Sequence, residues 1–341
     1  MPKVAIGGKL HPGGLEVLSS TPGITLDYTE EVSTESLMPM LLEADALLIR
    51  TQKLPRDFID QAKNLKIVSR HGVGFDAVDV AALNKRGIPL AIVGDVNSQT
   101  VAEHAMTLIL AVTKRLLRYD AASRGNREWN YRNSLEAEEL ANKTLLIIGY
   151  GRIGKHLARM AQVFGMSVSV FDPYYQPDLR PAASQSADSL SDDAIKSEPD
   201  LASALSCADV VSVHVPATEK PVIGASELAL LKPSSIVINT ARGGVINEKA
   251  LIDALDSAQI AGAGIDVFST EPPLPDHPLA NFDQVILTPH SAGMTRQCAE
   301  RMAISSATNI VKFFNNTLDT SLVVNAREIN YKPRAAQTSE I

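Results

Sequence analysis

Short, unbroken apolar runs alternate with stretches of helical period along almost the whole chain, and this rhythm leaves few folds open. A strand buried on both faces reads as a continuous apolar run, which is what parallel sheets covered by helices require. Strand–helix–strand alternation is the pattern of βαβ units. In the first third the runs fall at residues 4–6, 46–49, 66–69 and 90–93, with a helix over 77–85 stopped by Gly87. A second series occupies 144–148, 167–171, 210–215, 236–239, 263–267 and 285–287, and a last helical pattern covers 297–314. The expected class is α/β, with doubly wound parallel sheets. A length of 341 residues suits two such domains.

Between the two series lies a helix expected over 100–117. Thr100-Val101-Ala102-Glu103 fits a capping box. Residues 105–112 are apolar on every face except Thr107, as in a helix buried between larger bodies and joining two domains. Residues 176–200 are rich in Ser, Asp, Ala and Pro and read as a surface excursion, and the last ten residues as a frayed polar tail.

Composition removes several function classes. With 32 basic against 39 acidic residues the formal net charge is −7, the wrong sign for a general nucleic-acid or acidic-membrane binder. Cys207 and Cys298 are too few for a disulfide framework. The seven histidines lack ligand spacing, so no metal is expected. No secretory signal opens the chain, and no run nears the roughly 20 apolar residues that span a bilayer. A soluble, cytoplasmic protein is expected.

Gly149-Tyr150-Gly151-Arg152-Ile153-Gly154 is a G-x-G-x-x-G placed directly after the run 145–148. It opens a helix with Ile153, Leu157, Met160, Ala161 and Phe164 on one face and Gly165 at its end. In that context Gly149 permits the tight turn, Gly151 lets a pyrophosphate approach the backbone, and Gly154 allows close helix–strand packing. The N–H groups of Arg152 and Ile153 open a helix whose positive end favours phosphate. The next strand ends at Asp172, placed to accept from a ribose 2′-hydroxyl and to repel a 2′-phosphate, which favours NAD over NADP. The competing reading of Asp172-Pro173 is a plain loop start.

Three more segments carry polar groups just past apolar runs: Asn239-Thr240-Ala241-Arg242-Gly243-Gly244, Asp266-Val267-Phe268-Ser269-Thr270-Glu271-Pro272 and Thr288-Pro289-His290-Ser291-Ala292-Gly293. Open α/β sheets bind ligands beyond the carboxyl ends of their strands. Arg242, Glu271 and His290 are therefore expected on the same edge as the glycine loop. Taken singly, each has a bland alternative: a solvated turn arginine, a loop glutamate, a core histidine.

Together these segments resemble the signatures of the D-isomer-specific 2-hydroxyacid dehydrogenases, most closely the phosphoglycerate dehydrogenase-like branch. The likeness runs from about residue 46 to 324 and takes in Arg70-His71-Gly72-Val73-Gly74-Phe75-Asp76 and Val101-Ala102-Glu103-His104. The resemblance implies a flavodoxin-like substrate domain of residues 1–98 and 296–341, a Rossmann NAD domain of residues 99–295, and a cleft between them. It implies Arg242 as anchor of the substrate carboxylate, His290 as acid–base residue and Glu271 as its partner. Chemistry agrees, since an imidazole exchanges protons near neutrality and a guanidinium fork matches a carboxylate. His71, Gly72, Val73 and Gly74 are expected to offer backbone N–H groups to that carboxylate, with a plain strand-to-helix turn as an equal alternative. His214, Pro216, Thr240, Ala241, Asp266 and His290 are expected around the cofactor, Asp266 alternatively as a strand cap.

Two departures from the family pattern stand out. Asn142 replaces a glycine before Lys143, which Asn's tolerance of positive φ should accommodate, and Ala77 replaces an Asn. The chain ends soon after Asn325, so the extra regulatory domain of many phosphoglycerate dehydrogenases, and serine feedback through it, is not expected. The expected activity is reversible hydride transfer between NAD and a D-2-hydroxy acid by a homodimer, with Trp129 an inter-subunit anchor. A phosphorylated substrate would need further cations. Arg50, Lys53, Arg70, Arg124 and Arg127 are candidates, each also readable as a surface charge. The alternatives are a glyoxylate or hydroxypyruvate reductase and, from another class, an NAD-sensing corepressor-like binding protein.

Overall fold

The structure is a computed structural model and describes residues 1–125, 128–175 and 195–333. Its strands are β1 (Lys3–Gly7), β2 (Thr25–Thr29), β3 (Ala46–Ile49), β4 (Ile67–Arg70), β5 (Leu90–Ala91), β6 (Thr144–Ile148), β7 (Ser167–Phe171), β8 (Lys196–Ser197), β9 (Val210–Val213), β10 (Ile236–Asn239), β11 (Gly262–Ile265) and β12 (Val285–Leu287). Its helices are α1 (Pro12–Ser19), α2 (Thr34–Glu43), α3 (Arg56–Gln61), α4 (Val80–Lys85), α5 (Ser98–Thr113), α6 (Leu116–Gly125), α7 (Arg152–Val163), α8 (Leu201–Cys207), α9 (Ala225–Leu228), α10 (Glu248–Asp256) and α11 (Arg296–Phe314).

Two compact units result. Met1–Asn97 and Met294–Ile341 make the first, Ser98–Gly293 the second. The first holds a five-stranded sheet of order β2-β1-β3-β4-β5, every pair parallel, which is the flavodoxin-like order. Both faces are covered: Ala5 of β1 packs into one apolar cluster, Val4 and Ile6 into the other, where Ala303, Ala307 and Ile310 of α11 meet them. Where α1 crosses α11, Gly14 is close enough that a Cβ would lie 2.8 Å from Ala303.

The second unit holds a seven-stranded parallel sheet, order β12-β11-β10-β9-β6-β7-β8. Leu145 and Ile147 of β6 face one cluster with α5 and α7, Leu146 and Ile148 the other with α8 and α10. Strand order reverses between β6 and β9, the switch point at which doubly wound sheets open a crevice for ligands.

Several local expectations need correction. The capping box at Thr100 does not form: α5 starts at Ser98, Thr100 is buried inside it, and Glu103 instead accepts from the Gln99 amide at 2.9 Å. That helix stops before Leu117, because Arg115 turns left-handed at φ 51° and α6 starts afresh. Phe164 leaves the apolar face of α7, caps its end and is 45% exposed. Asn142 does take positive φ, at 64°. Most of the excursion expected at 176–200, and most of the polar tail, lie outside the described residues. Among the described residues no helix is long and apolar enough to cross a membrane.

Candidate active site

The glycine loop leaves β6 at the switch point. Gly149 has φ 93°, and a Cβ there would sit 2.7 Å from the His214 carbonyl oxygen at the end of β9. A Cβ on Gly154 would lie 2.6 Å from the Gly149 oxygen, whereas nothing lies within 4 Å of that position on Gly151. Gly151 is also the N-cap of α7 and supplies no side-chain cap bond. A helix N-terminus opening on free space beside bare backbone is the form a pyrophosphate requires.

Around this loop the other cofactor candidates share the carboxyl edge of the sheet. Asp172 follows β7 and accepts the Tyr150 N–H at 2.7 Å and the Tyr174 N–H at 2.8 Å. His214 donates its backbone N–H to Ile148 and pairs its Nε2 with the Ser212 hydroxyl at 2.8 Å. Burial pushes the His214 ring down to about 4, so it is neutral near pH 7. Its Nδ1 and the Thr240 hydroxyl are buried polar atoms without a protein partner, and Pro216 is exposed. Such orphaned groups at strand ends fit a polar ligand.

The turn after β10 is held by Asn239, whose amide donates to the Arg242 carbonyl at 2.9 Å and whose oxygen accepts the Ala241 N–H at 3.0 Å. Arg242 is half-buried and donates to the Ala241 carbonyl at 2.7 Å. A Cβ on the next residue, Gly243, would fall 1.8 Å from the Phe268 carbonyl oxygen, so the arginine turn lies directly against the segment that follows β11. There Glu271 folds back: Oε1 accepts the Phe268 N–H at 3.0 Å, and Oε2 lies 2.7 Å from His290 Nδ1. The Ser269 N–H is taken by Glu248. Arg242, Glu271 and His290 thus follow three neighbouring strands, β10, β11 and β12.

His290 has φ 51°, an uncommon conformation for a non-glycine residue. Its N–H is shared between the Asp266 and Thr288 carbonyls at 2.8 and 3.0 Å. The Asp266 carboxylate has no exposed surface with which to meet a cofactor. Its oxygens accept from the Thr288 hydroxyl at 2.5 Å, the Ser291 N–H at 2.8 Å and the Ala292 N–H at 2.9 Å. The side chain ties down the His290 turn, closer to the capping alternative than to a cofactor contact. Neither Asn239 nor Thr288 stood out in the sequence as a holder of these turns, and an Asn or Thr at a strand end carries no signal that would single it out.

The loop His71–Gly74 belongs to the first unit, after β4. His71 is buried at 6% exposure, and burial, with Arg50 and Arg70 nearby, lowers its ring to about 4. Its N–H goes to Ile49 and that of Gly72 to Arg70, which leaves Val73 and Gly74 as the loop's remaining N–H donors. Arg50 is half-buried: one terminal guanidinium nitrogen donates to the Lys9 carbonyl, while its Nε and the Gln52 amide nitrogen are buried without a protein partner. Arg124 is exposed and paired with Asp120, and Arg127 lies outside the described residues.

Residues 106–292 match the family model described as D-isomer specific 2-hydroxyacid dehydrogenase, NAD binding domain. Similar proteins include a D-3-phosphoglycerate dehydrogenase of Methanocaldococcus jannaschii, 34% identical over 95% of this chain, which spans only 59% of that protein's length. A glyoxylate reductase of Aeropyrum pernix is also 34% identical, over 94% of this chain and 96% of its own. In structure, the NADPH-dependent glyoxylate/hydroxypyruvate reductase of Sinorhizobium meliloti, in complex with NADP and malonate, superposes with a TM-score of 0.80 at 28% identity, covering 98% of this chain and 99% of that one.

Proposed function

Since the chain belongs to the D-isomer-specific 2-hydroxyacid dehydrogenase family, we propose that it is an NAD-dependent reductase of small 2-keto acids, of the glyoxylate and hydroxypyruvate type, acting reversibly on D-2-hydroxy acids. The His290–Glu271 pair at 2.7 Å carries this proposal. A protein that only sensed the dinucleotide would have no use for an oriented imidazole at that edge.

When bound, the dinucleotide supplies or accepts the hydride. The N–H groups at the start of α7, from Gly151 through Ile153, hold its pyrophosphate, and Asp172 takes the ribose hydroxyls. Pro216, Thr240 and Ala241, which follow β9 and β10, would be further contacts for the dinucleotide. Glu271 receives the Nδ1 side of His290, which leaves Nε2 to carry the exchangeable proton. In reduction Nε2 gives that proton to the substrate oxygen as the carbonyl becomes an alkoxide, and in oxidation it takes the proton back. Arg242 binds the substrate carboxylate through its planar fork, which fixes the carbonyl face presented to the hydride.

Likeness to a glyoxylate reductase and to a glyoxylate/hydroxypyruvate reductase structure supports the small-substrate reading, where the motifs alone favour the phosphoglycerate-type branch. A phosphorylated substrate is the second reading, favoured by the Arg50 Nε and the Gln52 amide nitrogen, both buried without a protein partner. Family likeness, with Leu116, Leu117 and Trp129 more than half exposed, supports a homodimer.

Initial rates with NADH and NADPH over glyoxylate, hydroxypyruvate, pyruvate and 3-phosphohydroxypyruvate test the assignment. The expected result is the highest kcat/KM on glyoxylate or hydroxypyruvate with NADH. Preference for the phosphorylated acid would select the second reading, and preference for NADPH would remove the role given to Asp172. Failure on every 2-keto acid, with NAD-dependent capture of a protein partner, would favour a corepressor-like protein.

A further inference from the structure

A second imidazole meets the turn that carries His290. His104, on α5, directs Nε2 to the Thr288 hydroxyl at 3.0 Å, with the Asp266 carboxylate 3.6 Å away. The order of donors in this chain is fixed by counting protons. An ionised carboxylate only accepts, so Thr288 gives its single hydroxyl proton to Asp266, at 2.5 Å. The Thr288 oxygen is then an acceptor toward His104, whose Nε2 must bear a hydrogen. Asp266 uses its remaining capacity on the Ser291 and Ala292 N–H groups. His290 stands inside that span in a left-handed conformation, which persists in a non-glycine residue only where the surroundings over-determine it.

We propose that His104 is a positioning residue for His290: as an Nε2–H donor it locks Thr288 onto Asp266 and so fixes the 288–292 turn. The inference rests on the role proposed for His290. Sequence separation hides the link, since His104 and Thr288 are 184 positions apart. A histidine that merely filled space beside α5 would have no need of a donor at that nitrogen, and a glutamine amide, which reaches about as far as Nε2, would not matter more than alanine.

That difference sets the experiment. His104→Ala and Thr288→Val each remove the link from one end, while His104→Gln keeps an N–H at the same reach. In the alanine and valine variants kcat is expected to fall by about 10- to 100-fold, the size of effect that small misplacements of reacting groups produce. KM for the dinucleotide should stay within about threefold. Amide hydrogen exchange should quicken at 288–292 while β6 and α7 keep their protection. His104→Gln should restore both kcat and protection to within about threefold of the parent. The proposal is overturned if glutamine is as damaging as alanine, if alanine leaves kcat and exchange at parental values, or if exchange rises throughout the unit. Should the parent protein turn over no 2-keto acid, the function proposed above fails, and the exchange pattern alone decides whether His104 holds the turn.

Discussion

Replacing His290 with alanine takes one partner from the 2.7 Å contact with Glu271 and touches nothing on the glycine loop or at Asp172. General acid–base catalysis contributes roughly 10²- to 10⁴-fold, so His290→Ala should lower kcat by that much. Dinucleotide affinity, read by fluorescence titration, should stay within about threefold. An unchanged kcat would remove His290 from the chemistry. At this scale the placing of Arg242, Glu271 and His290 after neighbouring strands was legible because each comes within a few residues of an apolar run, and parallel topology sends every such end to one edge. Asp266 was less legible. A carboxylate one residue past a strand reads alike whether it looks outward or down, and only the fold of 288–292 shows that it looks down. His71 and Gly72 were half right: the loop is there, but neighbouring carbonyls already take their N–H groups.

Elements set these residues by contact between successive strand ends. The Asp266 N–H donates to the Asn239 carbonyl and the Thr288 N–H to that of Ile265, so β10, β11 and β12 remain stitched past their last strand residues. Gly243 is the tightest point. A methyl group there would collide with the Phe268 oxygen at 1.8 Å, a backbone atom that cannot rotate away. Gly243→Ala should therefore push the Arg242 turn off the β11 segment, costing about 1–3 kcal/mol of stability as overpacking does. It should lower kcat/KM for the keto acid by about 10²-fold. Thermal melting and steady-state rates check both, and a fully active, equally stable variant would show that the turn can move freely. Continuous apolar runs located β3, β6, β7, β10 and β12 to the residue, because strands buried on both faces tolerate little else. They missed β2, a half-exposed edge strand with polar alternation, and the short exposed β8. Helix α2 was hidden by Pro39 inside it, a residue that ordinarily ends a helix.

Across the whole molecule, one buried histidine in each unit is held neutral, which ties stability to mild acid. His71 in the first unit and His214 in the second are both lowered from 6.5 to about 4. The unfolded chain binds a proton at each as pH falls through about 6.5, whereas the folded chain resists until about 4, so unfolding gains over that window. The contribution is whole above pH 6.5 and lost progressively down to pH 4. For the well-buried His71 it amounts to about 2 kcal/mol between pH 7 and pH 5. His214 acts in the same direction. Carboxylates with lowered values, such as Asp45 and Asp209, shift from 3.8 downward and leave that window untouched. Melting temperature should therefore fall between pH 7 and pH 5, by about 4–8 °C for the His71 share. His71→Asn should melt lower at pH 7 yet show a flatter dependence, as should His214→Asn. A parental slope in both variants would assign the acid sensitivity to other groups and return both rings to ordinary solvated titration.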